Sequence, residues 1–192
     1  MAPRLALLAL ALAFGASGQT SSWRIDPLHS GAHFSVRHMM ISKVRGTFGV
    51  KSATLYAPEN PLQARVEASV DVTSLDTNDQ NRDGHLRSAD FFDTENHPTM
   101  EFRSTGVRVD DGDLLVDGDL TIRGVTKPVT FDFDFGGFGA DPYGNYKAGA
   151  TAKTVINRED FGLTWNAALE TGGVLVGKDV TIELDLQGAL QA

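Results

Sequence analysis

The sequence predicts an all-β domain whose antiparallel sheet has one apolar and one polar face. Three observations carry this. Strict period-2 alternation of apolar and polar residues recurs along the chain, and short Asp/Asn/Gly clusters punctuate it at hairpin spacing. The 192 residues, 41% of them hydrophobic, suit one domain with a substantial core.

Residues 1–18 stand apart from this pattern. Arg4 precedes the apolar run Leu5–Phe14, and the small residues Gly15-Ala16-Ser17-Gly18 follow. That is the layout of a secretory signal, with cleavage after Gly18 leaving Gln19 first and cleavage after Ala13 or Ala16 as the alternatives. Ten apolar residues are too few to span a bilayer. No cysteine follows the run, which excludes a lipoprotein anchor. The expectation is a signal peptide at 1–18, a single domain at 19–192, and a periplasmic or secreted product with no stable membrane insertion.

The strands follow in order. Ala32–His38 and Lys43–Tyr56 alternate weakly. Leu62–Val72 is the cleanest case, with Leu62, Ala64, Val66, Ala68, Val70 and Val72 apolar and every odd position polar. On a helix those residues would circle the axis. Ser74–Pro98 breaks the alternation and predicts helix at Asp79–Ser88 and again at Ala89–Phe92, with Phe91 and Phe92 docking it on the sheet. Thr99–Val109 and Leu114–Ile122 flank the turn Asp110-Asp111-Gly112-Asp113. Val129, Phe131, Phe133 and Phe135 share one face, Tyr146–Ile156 follows the turn Asp141–Asn145, and Val180, Ile182, Leu184 and Leu186 share the last. Eight strands result, many of about ten residues and ~33 Å. Closing the sheet removes its edges and turns the apolar face inward. A two-sheet sandwich with a solid core satisfies the same periodicity.

Composition excludes several functions. The absence of cysteine removes disulfides, iron–sulfur clusters, thiolate nucleophiles and cysteine-ligated zinc. A net charge of −8 opposes nucleic-acid binding. No G-x-S-x-G motif is present, and most carboxylates alternate onto the outward face, so nothing argues for an enzyme. The five histidines form no H-E-x-x-H or H-x-H pair, and no metal site is expected.

Two short motifs match without their context. Asp79, Asn81, Asp83 and Gly84 fit the first half of a calcium-binding EF-hand loop, but position 12 is Asp90 and a strand precedes it. Gly172–Lys178 has the spacing of a phosphate loop, but Asp179 replaces the hydroxyl residue and a strand follows. A surface turn explains each.

Several separated motifs then become specific together. They are Asp26-Pro27-Leu28-His29-Ser30, His33-Phe34, Arg37-His38, Arg45-Gly46-Thr47-Phe48-Gly49 and His85-Leu86-Arg87-Ser88 with Asp90-Phe91-Phe92-Asp93. His97-Pro98, Leu120–Val129 and Asn157-Arg158 with Asp160-Phe161-Gly162 complete the set. In this order, from Trp23 to about Leu186, the chain closely resembles the YceI-like family of exported bacterial proteins. The resemblance implies an extended eight-stranded antiparallel β-barrel, lipocalin-like, with a short helical insertion around residues 78–92. It also implies a polyisoprenoid, such as the tail of an isoprenoid quinone, or another long-chain lipid inside the barrel. It implies neither catalysis nor a cofactor, and it admits a homodimer.

On that reading strand parity assigns the tail contacts to Phe34, Val36, Phe48, Val66, Val70, Phe102, Leu120, Ile122, Phe131, Phe133, Val180, Ile182 and Leu184. His38, with Arg37 as the weaker choice, is assigned to the mouth, and Phe91 and Phe92 to a cap at one end. Gly46, Gly118 and Gly124 are expected at strand bends or close backbone approaches. Arg123 and Arg158 are expected to clamp carboxylates such as Asp93 or Asp160. The rival readings are a solid-core stress or interaction protein, a quinone-dependent electron-transfer accessory and a calcium-binding protein.

Overall fold

The computed structural model describes residues 21–58, 60–170 and 172–191, so the expected signal segment lies outside the described residues. Nine strands form one sheet: β1 (Ser21–Ile25), β2 (Gly31–His38), β3 (Ser42–Ala57), β4 (Arg65–Asp76), β5 (Thr99–Asp110), β6 (Asp113–Ile122), β7 (Val125–Ala140), β8 (Tyr146–Asn157) and β9 (Val176–Leu190). Strands β2 to β9 pair antiparallel in sequence order, and β2 pairs β9 to close the ring. The result is a closed eight-stranded barrel, not a sandwich.

The extra strand does not add a ninth stave. β1 pairs β3 and β9 on the same sides as β2 and in line with it (Trp23 opposite Leu55, Phe34 opposite Gly46). The two segments are one stave interrupted by a 3₁₀ turn at Pro27–His29. Asp26 makes the interruption: its Oδ1 accepts from the Leu28 N–H at 3.2 Å, and Pro27 needs no donor bond at the turn's first position. Lys147 Nζ on β8 donates to Asp26 Oδ2 at 2.9 Å, and His29 Nδ1 lies 2.9 Å from the same oxygen. Lys147 first, then His29, holds the Asp26 carboxyl at about 2, against an ordinary 3.8. Sequence alternation misses β1 because five residues offer too few repeats.

Other boundaries also move. Leu62 sits in a 3₁₀ turn, Pro61–Gln63, that Asn60 caps through the Leu62 N–H (3.1 Å), so β4 begins at Arg65 and runs on to Asp76. Among the described residues only one α-helix forms, α1 (Gln80–Arg87); Ala89–Phe92 is a series of turns, in which Phe91 N–H donates to Ser88 O and Phe92 N–H to Leu86 O. Asp79 caps α1 by accepting from the Asn81 and Arg82 N–H groups at 3.0 and 3.1 Å. The buried Asp83 carboxylate accepts from Thr77 N–H (3.0 Å) and Thr77 Oγ1 (2.5 Å), and Arg82 donates to Thr77 O and Oγ1 at 2.7 Å. These bonds staple α1 to the end of β4. The EF-hand-like residues are therefore a capped helix, and the phosphate-loop-like Gly177-Lys178 lies in β9 with Lys178 Nζ 2.8 Å from Glu159 Oε2.

Four connections lie at one end of the barrel, the β2–β3 turn, the α1 segment, the β6–β7 turn and the loop 158–175, and of these the α1 segment and the loop 158–175 supply the side chains that cap it. At that end Phe91, Leu120, Ile122, Ile156, Phe161 and Leu163 form a buried cluster. Trp165 lies over Phe91 with ring centroids 5.2 Å apart. At the other end Trp23, Ala57 and Leu114 are buried, and the Trp23 and Tyr146 ring centroids are 6.1 Å apart.

Candidate functional site: an apolar cavity along the barrel axis

Alternation turns one side of every strand inward, and what those inward positions carry decides whether the barrel is full or hollow. Along β8 they carry Ala148, Ala150 and Ala152, and elsewhere Ala32, Ala53 and Ala68. Side chains this small cannot meet across the axis. A cavity of about 310 Å³ remains, within the usual range for a ligand pocket.

Two glycines shape its wall. Gly46 and Gly118 face inward, and the rings of Phe34 and Phe102 lie across them. A Cβ on Gly46 would fall 2.5 Å from the Phe34 ring; one on Gly118 would strike the Phe102 ring and stand 2.6 Å from Arg103 O. The expected close approaches are thus met at both glycines. Gly124 instead supplies the positive φ of the β6–β7 turn, 74°.

The wall is long. On β9 it runs from Val176 to Gly188, about 40 Å of strand, or about 30 Å along the axis at the tilt of an eight-stranded barrel. Four irregularities reset strand parity on the way: Val50/Ser52 in β3, Asp71/Asp76 in β4 opposite Gly49 and Thr47, Ser104/Gly106 in β5 and Phe135/Gly137 in β7. Hence Phe48 and Val50 face inward from even positions of β3, but Ala53 and Leu55 from odd ones.

Of the sixteen residues assigned by parity and docking, fifteen line this single cavity: Phe34, Val36, Phe48, Val66, Val70, Phe91, Phe92, Phe102, Leu120, Ile122, Phe131, Phe133, Val180, Ile182 and Leu184. His38 does not. It ends β2 where the ladder with β9 slips, from Val36 opposite Val180 to His38 opposite Val176, so it stands level with the last wall residue of β9 and does not line the cavity. Arg37 is exposed on the outer face.

Other wall residues escape sequence reasoning. Trp23 lies on the unrecognised β1. Leu55 and Val107 lie past bulges. Leu86, Phe161 and Leu163 lie outside strands. Leu114 and Val116 are different, since their parity with Leu120 already marks them as inward.

Arg158 is the charged side chain buried at the wall, 4% exposed. Among the described residues it clamps no carboxylate. Its Nε donates to Gly177 O at 2.9 Å, its Nη1 to Trp165 O at 3.0 Å and to Leu163 O, and its Nη2 reaches Val176 O at 3.4 Å. The guanidinium thus satisfies the carbonyls of the loop that closes the barrel, and burial lowers its pKa. Arg123 acts likewise, donating to Ala89 O (2.7 Å) and Gly162 O (3.0 Å) and joining the α1 segment to the 158–175 loop. Carbonyls turned out of a ladder need donors more than Asp93, which already accepts from Asn96, and the exposed Asp160 do.

Fold and site together define a closed antiparallel barrel built around an elongated apolar cavity. The YceI-like domain profile matches residues 23–188, nearly all of that barrel, and the chain belongs to the YceI-like family. A UPF0312 protein of Staphylococcus epidermidis is 39% identical over 165 residues, covering 85% of this chain and 94% of that protein. One from Staphylococcus aureus is 36% identical over the same span. Among solved structures, Burkholderia cenocepacia BcnA superposes with a TM-score of 0.71 at 23% identity, over 85% of this chain and 98% of that one. A polyisoprenoid binding domain from Saccharophagus degradans superposes with a TM-score of 0.65 at 15% identity, over 88% and 98%. Among the described residues no helix is long and apolar enough to cross a membrane.

Proposed function

We propose that this protein binds a polyisoprenoid or another long-chain lipid, without covalent chemistry, in the cavity of its barrel, and that it does so after export. The observation that carries the reading is the shape and chemistry of that cavity: one elongated, apolar space inside a closed wall. The fold shared with a polyisoprenoid binding domain supports it, and so does the apolar run Leu5–Phe14 behind Arg4 for the export. A hollow interior speaks against the solid-core rival.

Burial of the hydrocarbon drives binding, at about 25 cal/mol per Å² or about 0.8 kcal/mol per CH₂. A single-bonded chain advances ~1.2 Å per bond when extended, so ~30 Å of wall matches about six isoprene units in length, an upper limit because the 310 Å³ of open space admits fewer. The thirteen wall residues assigned from parity are the proposed tail contacts, and Phe91 and Phe92 the cap. Isoprenoid quinones are within this class. The protein needs no cofactor of its own for such binding.

Native mass spectrometry of protein purified from its secretion route, with organic extraction alongside, tests the reading. A stoichiometric prenyl or long-chain lipid, released only on denaturation, is the expected result. A homogeneous lipid-free mass, unchanged after incubation with prenylquinones and long-chain lipids, overturns it.

A further inference from the structure

Three hairpins turn on central residues with positive φ, the conformation that asks for glycine, asparagine or aspartate. The β5–β6 turn uses Asp111-Gly112 (φ 47° and 99°), and the β6–β7 turn uses Arg123-Gly124 (φ 50° and 74°). The β2–β3 turn, closed by Ile41 N–H donating to His38 O, uses Met39-Met40 (φ 51° and 61°). Two long apolar side chains occupy the one conformation that disfavours them, so the choice does not serve the turn. Nor does it serve a core: Met39, Met40 and Ile41 are 42%, 55% and 79% exposed.

The strands behind this tip break a second rule. Arg37 and Lys43 are direct cross-strand partners, and Arg45, opposite Ser35, is the next outward residue. Like charges placed opposite each other destabilise a sheet. Among the described residues neither Arg37, Lys43 nor Arg45 has a salt-bridge partner. The whole hairpin, Gly31–Gly49, contains no Asp or Glu, in a chain that has 25 of them and a net charge of −8. Glu183 on β9 senses Lys43 but is bonded to Lys153 at 2.7 Å, and Glu159 is occupied by Lys178 at 2.8 Å.

We propose that the β2–β3 tip docks on an anionic lipid bilayer. Met39, Met40 and Ile41 enter the headgroup boundary, and Arg37, Lys43 and Arg45 meet the lipid phosphates behind them. An exposed apolar tip rimmed by unpaired cations matches the apolar-then-anionic profile of that surface. The tip stands at the barrel end that the α1 segment and the 158–175 loop cap, which places that cap against the membrane. The proposal goes beyond the cargo reading and does not need it, since docking is measured on empty vesicles and cargo by mass.

The test is co-sedimentation of the full exported chain with vesicles of phosphatidylethanolamine and phosphatidylglycerol, against pure phosphatidylcholine. Binding to the anionic vesicles alone, weakening as salt screens it, is expected. Neutralising R37Q and K43Q together is expected to weaken binding about 25-fold. The variant M39N/M40G supplies the residues the turn prefers, so it is expected to raise the melting temperature by about 5 °C while abolishing docking. That combination separates a docking tip from a structural one. Equal binding to both vesicle types, docking retained by M39N/M40G, or no vesicle binding but a dimer that M39N/M40G dissociates, each overturns the proposal.

Discussion

Replacing Ala152 by Phe distinguishes a hollow barrel from a full one. Ala152 is 6% exposed on β8, between Phe133 of β7 and Leu184 of β9, midway along the wall. In a filled core an added ring overpacks and costs about 1–3 kcal/mol. In the 310 Å³ cavity it enters empty space and buries fresh apolar surface, a gain of about 1–2 kcal/mol. For a domain of this size that raises the melting temperature of lipid-free protein by about 2–8 °C. The same ring lies across the path of a threaded chain. Each displaced CH₂ forfeits about 0.8 kcal/mol, so losing one five-carbon isoprene unit costs about 4 kcal/mol, nearly a thousandfold in affinity. Calorimetry on delipidated protein, paired with native mass spectrometry of purified protein, reads both effects. Higher stability with no bound lipid is expected. A lower melting temperature with lipid still bound would refute the assignment of the cavity.

Four further outcomes follow from the local chemistry. Gly118→Ala is expected to lose about 1–3 kcal/mol in denaturant unfolding, because its Cβ meets Arg103 O at 2.6 Å and a backbone carbonyl cannot rotate away; an unchanged midpoint would contradict this packing. Asp26 is ionised more readily when folded, at about 2 against 3.8. Its stabilisation is therefore fully present above about pH 4 and lost as the pH falls through about 2, so acid melting curves of Asp26→Asn should be flatter there than those of the native chain. Asp83→Ala strands the buried Thr77 N–H and hydroxyl and is expected to cost about 1–3 kcal/mol. Calcium should leave the melting temperature of the native chain unchanged; a calcium-dependent rise that Asp83→Ala removes would restore the EF-hand reading.

Much of the architecture was legible because it depends on a two-residue period. Val66, Val70, Leu120, Ile122, Phe131, Phe133, Ile182 and Leu184 reveal their inward faces by parity alone, and all line the cavity. Parity fails where the backbone inserts a residue. Leu55 and Val107 changed face at bulges that no residue type announces. His38 kept the right parity but stood at the very end of the wall, opposite Val176, and does not line the cavity, a matter of strand stagger rather than of alternation. The helix in the Asp/Asn-rich segment was legible from its capping residue Asp79, whereas Ala89–Phe92 needed docking geometry to become turns.

The sequence by itself determined the class of fold, the apolar lining and the family, because alternation and motif order are properties of the chain. Whether that lining enclosed a solid core or a hollow one depended on the tertiary structure. Closure brings Ala148, Ala150 and Ala152 to face the axis opposite strands four staves away, and no local pattern records the distance across a barrel. The roles of Arg123 and Arg158 were decided at the same level. Their partners are loop carbonyls, freed only when the strands end and the loops fold over the barrel.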